Sequence, residues 1–563
     1  IKIYKISIAL KSDYTEAYNN LGSALQKKGD TLEAIKAFKK SIEIKRDYSE
    51  AYNNLGVSLQ EFGDLNGSFE AYKKSILIKN DNHQAWHNIY FVMQCLKQNF
   101  PSTENFVGEL FKNAQSYSLD ILKLLLNYKL KRSSGIDENY LQNTLKLVSK
   151  NTNYTIKNLT NNRANKDISN ILPTKVISLV HFGRSGTGLL HSLIDHHEQT
   201  STLPGIYFSE YFDYTTWEKI TANGWDSIVD NFISIYDVLF DSSSNTPILS
   251  KGHRYIRNIG YSDGFTSLGK NHDEILKLDK NIFKQNLNEL ISYFEELNSL
   301  SFFKLIHIAY ERTLKNYNKK DIIFYHIHNP DIYAQLNLTH LDTNHNWIVM
   351  VREPIQSCEA WIKNSFQDND YLNCSMRIIT MLLDIDNIIY TKNNSIGLRL
   401  EDLKKHPKKT IKALCNWMEI EENQNLYEMT MQGKKWWGDP TSPDYLKDGM
   451  KPFGQTSIER KIGLVFTKRD QLILKTLFYP FNVRFGYIKE DAEQFKKDLK
   501  TIRPMLDELF DFEKTIIDKT KVCNEDFMKS GSYLCFRSIL IERWNLLNKH
   551  YTYKNMVRPL NIN

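Results

Sequence analysis

Two periodicities run along the chain and change over near residue 170. In the first hundred residues the apolar positions fall at helical spacing inside a unit that repeats. Residues 14–22 read Tyr-Thr-Glu-Ala-Tyr-Asn-Asn-Leu-Gly, and residues 48–56 read Tyr-Ser-Glu-Ala-Tyr-Asn-Asn-Leu-Gly. A third copy begins at Asn82, with Ala85, Trp86 and Asn88 in the corresponding places. The intervening stretches agree as well: Ala34-Ile35-Lys36-Ala37-Phe38 matches Ser68-Phe69-Glu70-Ala71-Tyr72. Each unit reads as a helix pair that cannot bury its own apolar face, so neighbours stack. Shifted back one period, Ile1 to Ile8 is the end of an earlier second helix, and the array is expected to be truncated at its start. Helical spacing continues through Phe106, Leu110, Phe111, Leu119 to Leu130 and Tyr140 to Val148, which predicts closing helices. Residues 150–170, rich in Asn, Thr and Lys, predict a linker.

Beyond Pro173 the apolar residues come in short runs. Val176 to Val180, Ile322 to Ile327 and Trp347 to Val351 have the length and composition of buried strands. The later two run into His328-Asn329-Pro330 and Arg352-Glu353-Pro354, and Ile396 to Leu403 reads as a further strand turning into a helix. Such runs joined by helical segments fit a parallel sheet whose ligands sit beyond the strand C-termini. Residues 203–240 are rich in aromatics, including Tyr207, Phe208, Tyr211, Phe212, Tyr214, Trp217 and Trp225; they read as core and cleft wall. Residues 241–320 suggest no mechanism. Residues 490–563 read as helices, with Leu506, Leu509, Phe510, Phe512 and Ile516 periodic.

Candidate chemistry concentrates at 176–197. After the first strand come Gly183, Gly186 and Gly188, interleaved with Arg184, Ser185 and Thr187, and then Leu189, Leu190, Leu193 and Ile194 at helical spacing. Strand, tight loop and helix aim several backbone N–H groups and a helix N-terminus at one spot, which suits a phosphate. A helix terminus alone contributes about 0.3–1 kcal/mol, so Arg184 and the hydroxyls are needed for a multiply charged ligand. The nucleotide-triphosphatase loop would end in Gly-Lys-Ser/Thr, whereas here Gly186 is followed by Thr187 and Gly188.

Composition narrows the field. The chain has 563 residues, enough for two to four domains. Its net charge of +7 comes from 73 basic and 66 acidic residues and lacks the clustered basic face of a nucleic-acid binder. The six cysteines form neither a metal pair nor a dense disulfide pattern, which favours a reducing, cytoplasmic setting. No apolar run is long enough to span a membrane, and no metal-ligand cluster is visible. The chain does not begin with Met, so an N-terminal signal stays open.

The 34-residue period is that of tetratricopeptide repeats, which the first hundred residues resemble. The usual proline between repeats is absent; Lys11-Ser12-Asp13 and Lys45-Arg46-Asp47 stand there. That resemblance implies a concave surface for a peptide or protein partner, with Asn20, Asn54 and Asn88 resembling backbone-contacting positions; a packing and spacing module is the alternative.

Gly183-Arg184-Ser185-Gly186-Thr187 followed by Leu-Leu resembles the 5′-phosphosulfate loop of sulfotransferases that use PAPS (3′-phosphoadenylyl sulfate). Gly183 replaces that family's proline and Gly188 its second threonine, while Asp195-His196-His197 closes the helix as in the family. Val349-Met350-Val351-Arg352-Glu353-Pro354 resembles the strand whose arginine binds the 3′-phosphate, a task for which a guanidinium's paired donors are suited. The family serine eight residues on is Ala360 here, with Ser357 or Ser365 as substitutes. Arg399-Leu400-Glu401-Asp402-Leu403 resembles the family's Arg-Tyr-Glu-Asp-Leu, with Leu400 in place of a tyrosine near adenine; Glu401 and Asp402 read as structural. Gly433 to Pro440 is a basic, aromatic loop that either covers the nucleotide or turns its tryptophans inward. Ser457-Ile458-Glu459-Arg460-Lys461 resembles a late basic segment at the 3′-phosphate, and Pro480 with Arg484-Phe485-Gly486-Tyr487 resembles the family's domain close.

The resemblance spans about 173–487. It implies a tetratricopeptide α-solenoid over 1–100, a helical cap and polar linker over 101–172, a P-loop-like three-layer α/β sulfotransferase domain with a parallel sheet over 173–490, and a helical extension over 491–563. The implied reaction moves a sulfuryl group from PAPS to an acceptor hydroxyl or amine on a protein tyrosine, glycan or small molecule, without a metal. Gly183, Arg184, Ser185, Gly186, Thr187, Gly188 and Leu189 would hold the phosphosulfate, and Arg352, Ser357, Arg460 and Lys461 the 3′-phosphate. The base would be His328, in the family's His-x-Pro position, or Glu210, which needs an insertion to match. The other reading is a repeat scaffold with a degenerate, non-catalytic nucleotide module, which Ala360 and Leu400 favour.

Overall fold

A computed structural model describes residues 1–79, 155–158, 171–204, 216–244, 259–327, 332–342, 345–385, 394–440, 449–455, 462–549 and 556–562, with single residues between these spans. The closing helices expected over 101–150, and most of the linker after them, lie outside the described residues.

The repeats form antiparallel helix pairs. Helices α2 (Thr15–Lys28) and α3 (Thr31–Ile44) make one unit, and α4 (Ser49–Phe62) and α5 (Leu65–Ile78) the next. Helix α1 (Lys2–Leu10) takes the place of an earlier second helix. The repeated Leu-Gly has a steric cause. A Cβ on Gly22 would stand 2.7 Å from the Phe38 ring, and one on Gly56 would stand 2.6 Å from Tyr72. Each ring therefore packs on bare backbone of its partner helix. The paired asparagines form a ladder between units: Asn54 donates to Asn19 Oδ1 at 3.0 Å and Asn88 to Asn53 Oδ1 at 3.2 Å. Asn19 and Asn53 are buried, so the ladder satisfies polar groups the stack has removed from water. Asn20 is exposed.

The sheet has six parallel strands. In chain order they are β1 (Lys175–His181), β2 (Thr200–Thr202), β3 (Ile322–His326), β4 (Asn346–Val351), β5 (Ser395–Arg399) and β6 (Arg558–Pro559). Across the sheet they lie β6-β5-β4-β1-β3-β2. Alternation splits their side chains between two separate cores. Ile177, Leu179, Phe324, Ile348, Met350 and Leu398 pack with α6 (Thr187–Ile194) on one face. Val176, Val180, Ile323, Tyr325, Trp347 and Val349 pack with α7 (Ser299–Thr313), α8 (Pro354–Gln367) and α9 (Tyr371–Asp384) on the other. The first face is completed by α10 (Leu400–Lys405) and α11 (Pro407–Met418). This is a helix–sheet–helix sandwich. All four strands expected from apolar runs are present; β2 and β6 are too short to register as periodicity.

The described aromatics of 203–240 are mostly core. Phe208, Tyr211, Phe212 and Phe232 are buried, and Tyr211 donates its hydroxyl to Ser299 O at 2.9 Å. The C-terminal residues supply α12 (Lys468–Leu477), α13 (Ala492–Met505), α14 (Asp511–Thr520) and α15 (Gly531–Lys549), and then β6. The expectation of helices alone after 490 is thus corrected: the tail returns to the sheet edge, where Leu560 N–H donates to Gly397 O at 2.8 Å. Phe512 and Phe536 share a core with Phe69 and Tyr72 of α5. Cys358, Cys374, Cys415 and Cys523 are free thiols, and Cys535 is disulfide-bonded. Among the described residues no helix is long and apolar enough to cross a membrane.

Candidate active site

The loop after β1 is shaped by what lies beneath it. Phe182 N–H donates to Met350 O at 2.9 Å, continuing the sheet one residue beyond the strand. Gly183 then turns with φ +65°, and a Cβ there would fall 2.4 Å from Ser357 Oγ and 2.9 Å from Met381 Sδ. Gly186 has φ +87°, and its Cβ would meet Leu400 at 2.8 Å. Both positions require left-handed backbone in a space closed to a side chain. Ser185 is buried and accepts from Phe182 N–H. Helix α6 opens at Thr187 with no side-chain cap, which leaves its first N–H groups facing outward.

This loop borders a cavity of about 670 Å³ that also takes in the C-terminal ends of β3, β4 and β5. Among the described residues, four cations line it: Arg184, Arg352, Arg377 and Lys404. Arg184 is exposed on the loop. Arg352, at the end of β4, is buried, and its Nη2 donates to Gln356 Oε1 at 3.1 Å. Arg377 reaches in from α9, donating to Trp361 O and, at 3.2 Å, to Ser365 Oγ. Burial, and to a smaller extent the like charge of Arg184, hold the Arg377 guanidinium below its ordinary value. Lys404 is buried on α10.

Among the described residues, three histidines line the same space: His181 at the end of β1, His191 on α6 and His326 at the end of β3. The His191 and His326 rings lie 5.3 Å apart. Burial pushes His191 down to about 4, outweighing the upward pulls of Asp195 and of a hydrogen bond to the Leu203 backbone. Its imidazole is neutral at pH 7, and Nε2 has no hydrogen-bond partner.

The remaining wall is apolar and acidic. Trp436, Phe265, Met429, Met431 and Met450 line it with Asp263 and Asp439. Trp436 Nε1 donates to Asp263 O at 2.8 Å, and a Cβ on Gly188 would stand 3.7 Å from the far edge of the same indole. In the basic aromatic loop, Trp436 turns inward and forms cavity wall. Asp263 Oδ2 is sealed from solvent and has no hydrogen-bond partner. Burial, reinforced by Asp439, pushes this carboxyl up to about 8.

Gly183, Arg184, Ser185, Gly186, Thr187, Gly188, Leu189 and Arg352 are thus brought together. Ser357 is corrected. It is fully buried, its hydroxyl donates to Phe182 O at 3.0 Å, and it supports the loop from below without lining the cavity. Of the two serines offered for the Ala360 position, Ser365 lines the cavity, as do Ala360 and Leu400 themselves. Glu210, His328, Arg460 and Lys461 lie outside the described residues. Glu401 is structural: its carboxylate accepts from Glu353 N–H and Tyr487 Oη, both at 3.0 Å. The sequence reading missed Arg377, Lys404, His191, His326, Asp263 and Asp439 as cavity residues. His326 and Lys404 had a usable signal, since each lies in or beside a strand end already singled out.

Residues 15–48 and 49–82 each match the tetratricopeptide repeat family, so the chain carries two such repeats, a module that points to protein partners. No curated protein matches the chain. Among solved structures, a sulfotransferase domain from the curacin biosynthetic pathway aligns over 62% of this chain and 99% of its own, at 12% identity and a TM-score of 0.24. A likeness of that quality supports no conclusion about this chain.

Proposed function

We propose that the chain is a sulfotransferase: residues 173–490 bind PAPS and transfer its sulfuryl group, and the repeats face a protein partner. The observation that carries this reading is the convergence of Arg184, Arg352, Arg377 and Lys404 on one cavity whose floor is a glycine-rich strand–loop–helix turn. Four cations with outward backbone N–H groups exceed what a single phosphate needs and suit a ligand with phosphate groups at two places. The donor fits the residues present. Side chains at Gly183 and Gly186 would collide with the loop's own supports, so the bare backbone there is available to the phosphosulfate.

Bound there, PAPS would supply an activated S–O bond. Arg184 and the loop N–H groups would neutralise the charge that grows on the leaving phosphate oxygen as that bond breaks. Arg352 would hold the 3′-phosphate, with Arg377 and Ser365 beside it where Ala360 offers nothing. The acceptor oxygen or nitrogen forms the new bond to sulfur, the bonding pair of the broken bond stays on phosphate, and the acceptor's proton passes to a base. His328 keeps its place as a proposed base because His326, two residues earlier, lines the cavity on the β3 side; Glu210 is the alternative.

Calorimetry with PAP (3′-phosphoadenosine 5′-phosphate) tests the reading. Wild-type protein should bind PAP, and Arg184→Ala should lose most of that binding. Arg352→Ala should weaken PAP at least tenfold while barely changing adenosine 5′-phosphate. Absence of PAP binding, or equal losses for both nucleotides, would overturn the assignment. The scaffold reading draws on Leu400 and Ala360, which line the cavity where the resemblance has a tyrosine and a serine. It predicts PAP binding without transfer of labelled sulfate from PAPS.

A further inference from the structure

Arg377 stands in the cavity at an electrostatic cost. Burial disfavours its guanidinium and Arg184 adds like charge, while Asp370, at the start of the same helix, offsets part of this. Its hydrogen-bond acceptors, Trp361 O and Ser365 Oγ, are both neutral and both on α8. A long cationic side chain in that state relaxes toward water unless its own helix is held in place. Helix α9 buries Tyr371, Cys374, Ile378 and Leu382. An apolar stripe is non-directional, and by itself it fixes neither the rotation nor the register of a helix closely enough for an anion site.

Directional bonds to the C-terminal helices hold α9 near both of its ends. At the first, Tyr371 Oη donates to Glu513 Oε1 at 2.6 Å. Glu513, on α14, also accepts from Phe510 N–H at 2.7 Å and pairs with Arg537 of α15. The Arg537 guanidinium lies over the rings of Tyr533 and Phe510, 4.5 Å and 5.0 Å from their centres. Near the other end, Arg543 of α15 donates to Leu382 O. Tyr371, Glu513, Arg537 and Arg543 are all buried. A buried ion pair is a poor source of stability, because an apolar pair of like volume often does as well. What these charges add is direction. We propose that Tyr371, Glu513, Arg537 and Arg543 are positioning residues: through them α14 and α15 hold α9 in the register that keeps Arg377 in the cavity, ready for the bound anion. Naming that anion PAP rests on the donor reading above; the positioning role does not.

The test is a set of double-mutant cycles in the full chain, read by calorimetry with PAP and with inorganic pyrophosphate. Tyr371→Phe keeps the ring and the Glu513–Arg537 pair and deletes only the hydroxyl. It should weaken PAP at least threefold in the wild-type background and less than twofold beside Arg377→Ala, where Arg184, Arg352 and Lys404 still hold the ligand. Arg543→Lys, at the other end of α9, should repeat the pattern. Thermal melts separate this from general packing: each substitution should lower Tm equally in both backgrounds. Equal weakening of PAP with and without Arg377, or full PAP affinity in both variants, would overturn the inference. If PAP fails to bind while pyrophosphate binds and follows the cycle, the donor reading falls and the positioning role stands. If PAP binds and the losses are additive, the positioning role alone falls; if neither anion binds, both fall.

Discussion

Asp263 shows what burying one carboxyl costs. Its folded value near 8 lies above the ordinary carboxylate value, so the folded chain binds this proton more tightly than the unfolded chain does. The stability that the neutral carboxyl supports is complete below about pH 4 and is lost as pH rises through about 8. Asp263→Asn should therefore leave Tm almost unchanged at about pH 4 and raise it by several degrees at about pH 9. Thermal melts across that range check this, and a difference independent of pH would contradict it. Single residues also mark how far the sequence could be read. Arg352 was legible because it ends an apolar strand, where ligands gather. Arg377 was not, because it projects from the middle of α9, whose pattern reports only a buried stripe. Ser357 misled for a related reason: it faces the underside of Gly183, whereas Trp361, Asn364 and Ser365, further along α8, face the cavity.

Among elements, α8 does more than follow the arginine at the end of β4. Glu359, one residue before Ala360, is buried and accepts from the N–H groups of Gly463, Leu464 and Val465 at 2.6–3.1 Å. It thereby fixes where the chain emerges after the basic segment at 459–461. Glu359→Ala would leave those donors without their acceptor, at about 1–3 kcal/mol for each one that water cannot reach. We expect a fall of about 2–3 kcal/mol in denaturant stability together with weaker PAP binding, and Glu359→Gln should recover part of both. Unchanged PAP affinity in the folded Ala variant would detach this anchor from the site. The strands and the loop–helix turn were legible because period and glycine spacing are local properties. The anchoring of 463–465 was not, since it joins residues about a hundred positions apart.

At the scale of the molecule, the repeats are built into the rest. Helix α15 packs on α4, and Ser532 donates its hydroxyl to Glu61, whose carboxyl burial pushes upward. The contact is close enough to exclude side chains: a Cβ on Gly531 would stand 2.2 Å from Gln60 O, and one on Gly63 would stand 2.3 Å from Lys529 O. Gly531→Ala should wedge this joint open. The expected result is a lower Tm and faster proteolytic separation of the repeats, with the isolated site still binding PAP; a variant as protease-resistant as the wild type would refute it. Sequence patterning found helices after 490 and gave them no task, because docking between distant surfaces leaves no periodic trace.

Strand β6 has a consequence for how the chain is made. Its partner β5 is synthesised about 160 residues earlier. At translation speeds of about 5–20 residues per second, that edge waits of the order of ten seconds or more, bare and able to pair with a neighbouring nascent chain, until β6 leaves the ribosome. Completion of the sheet therefore waits on β6, and crowded polysomes expose this unpaired edge to misassembly.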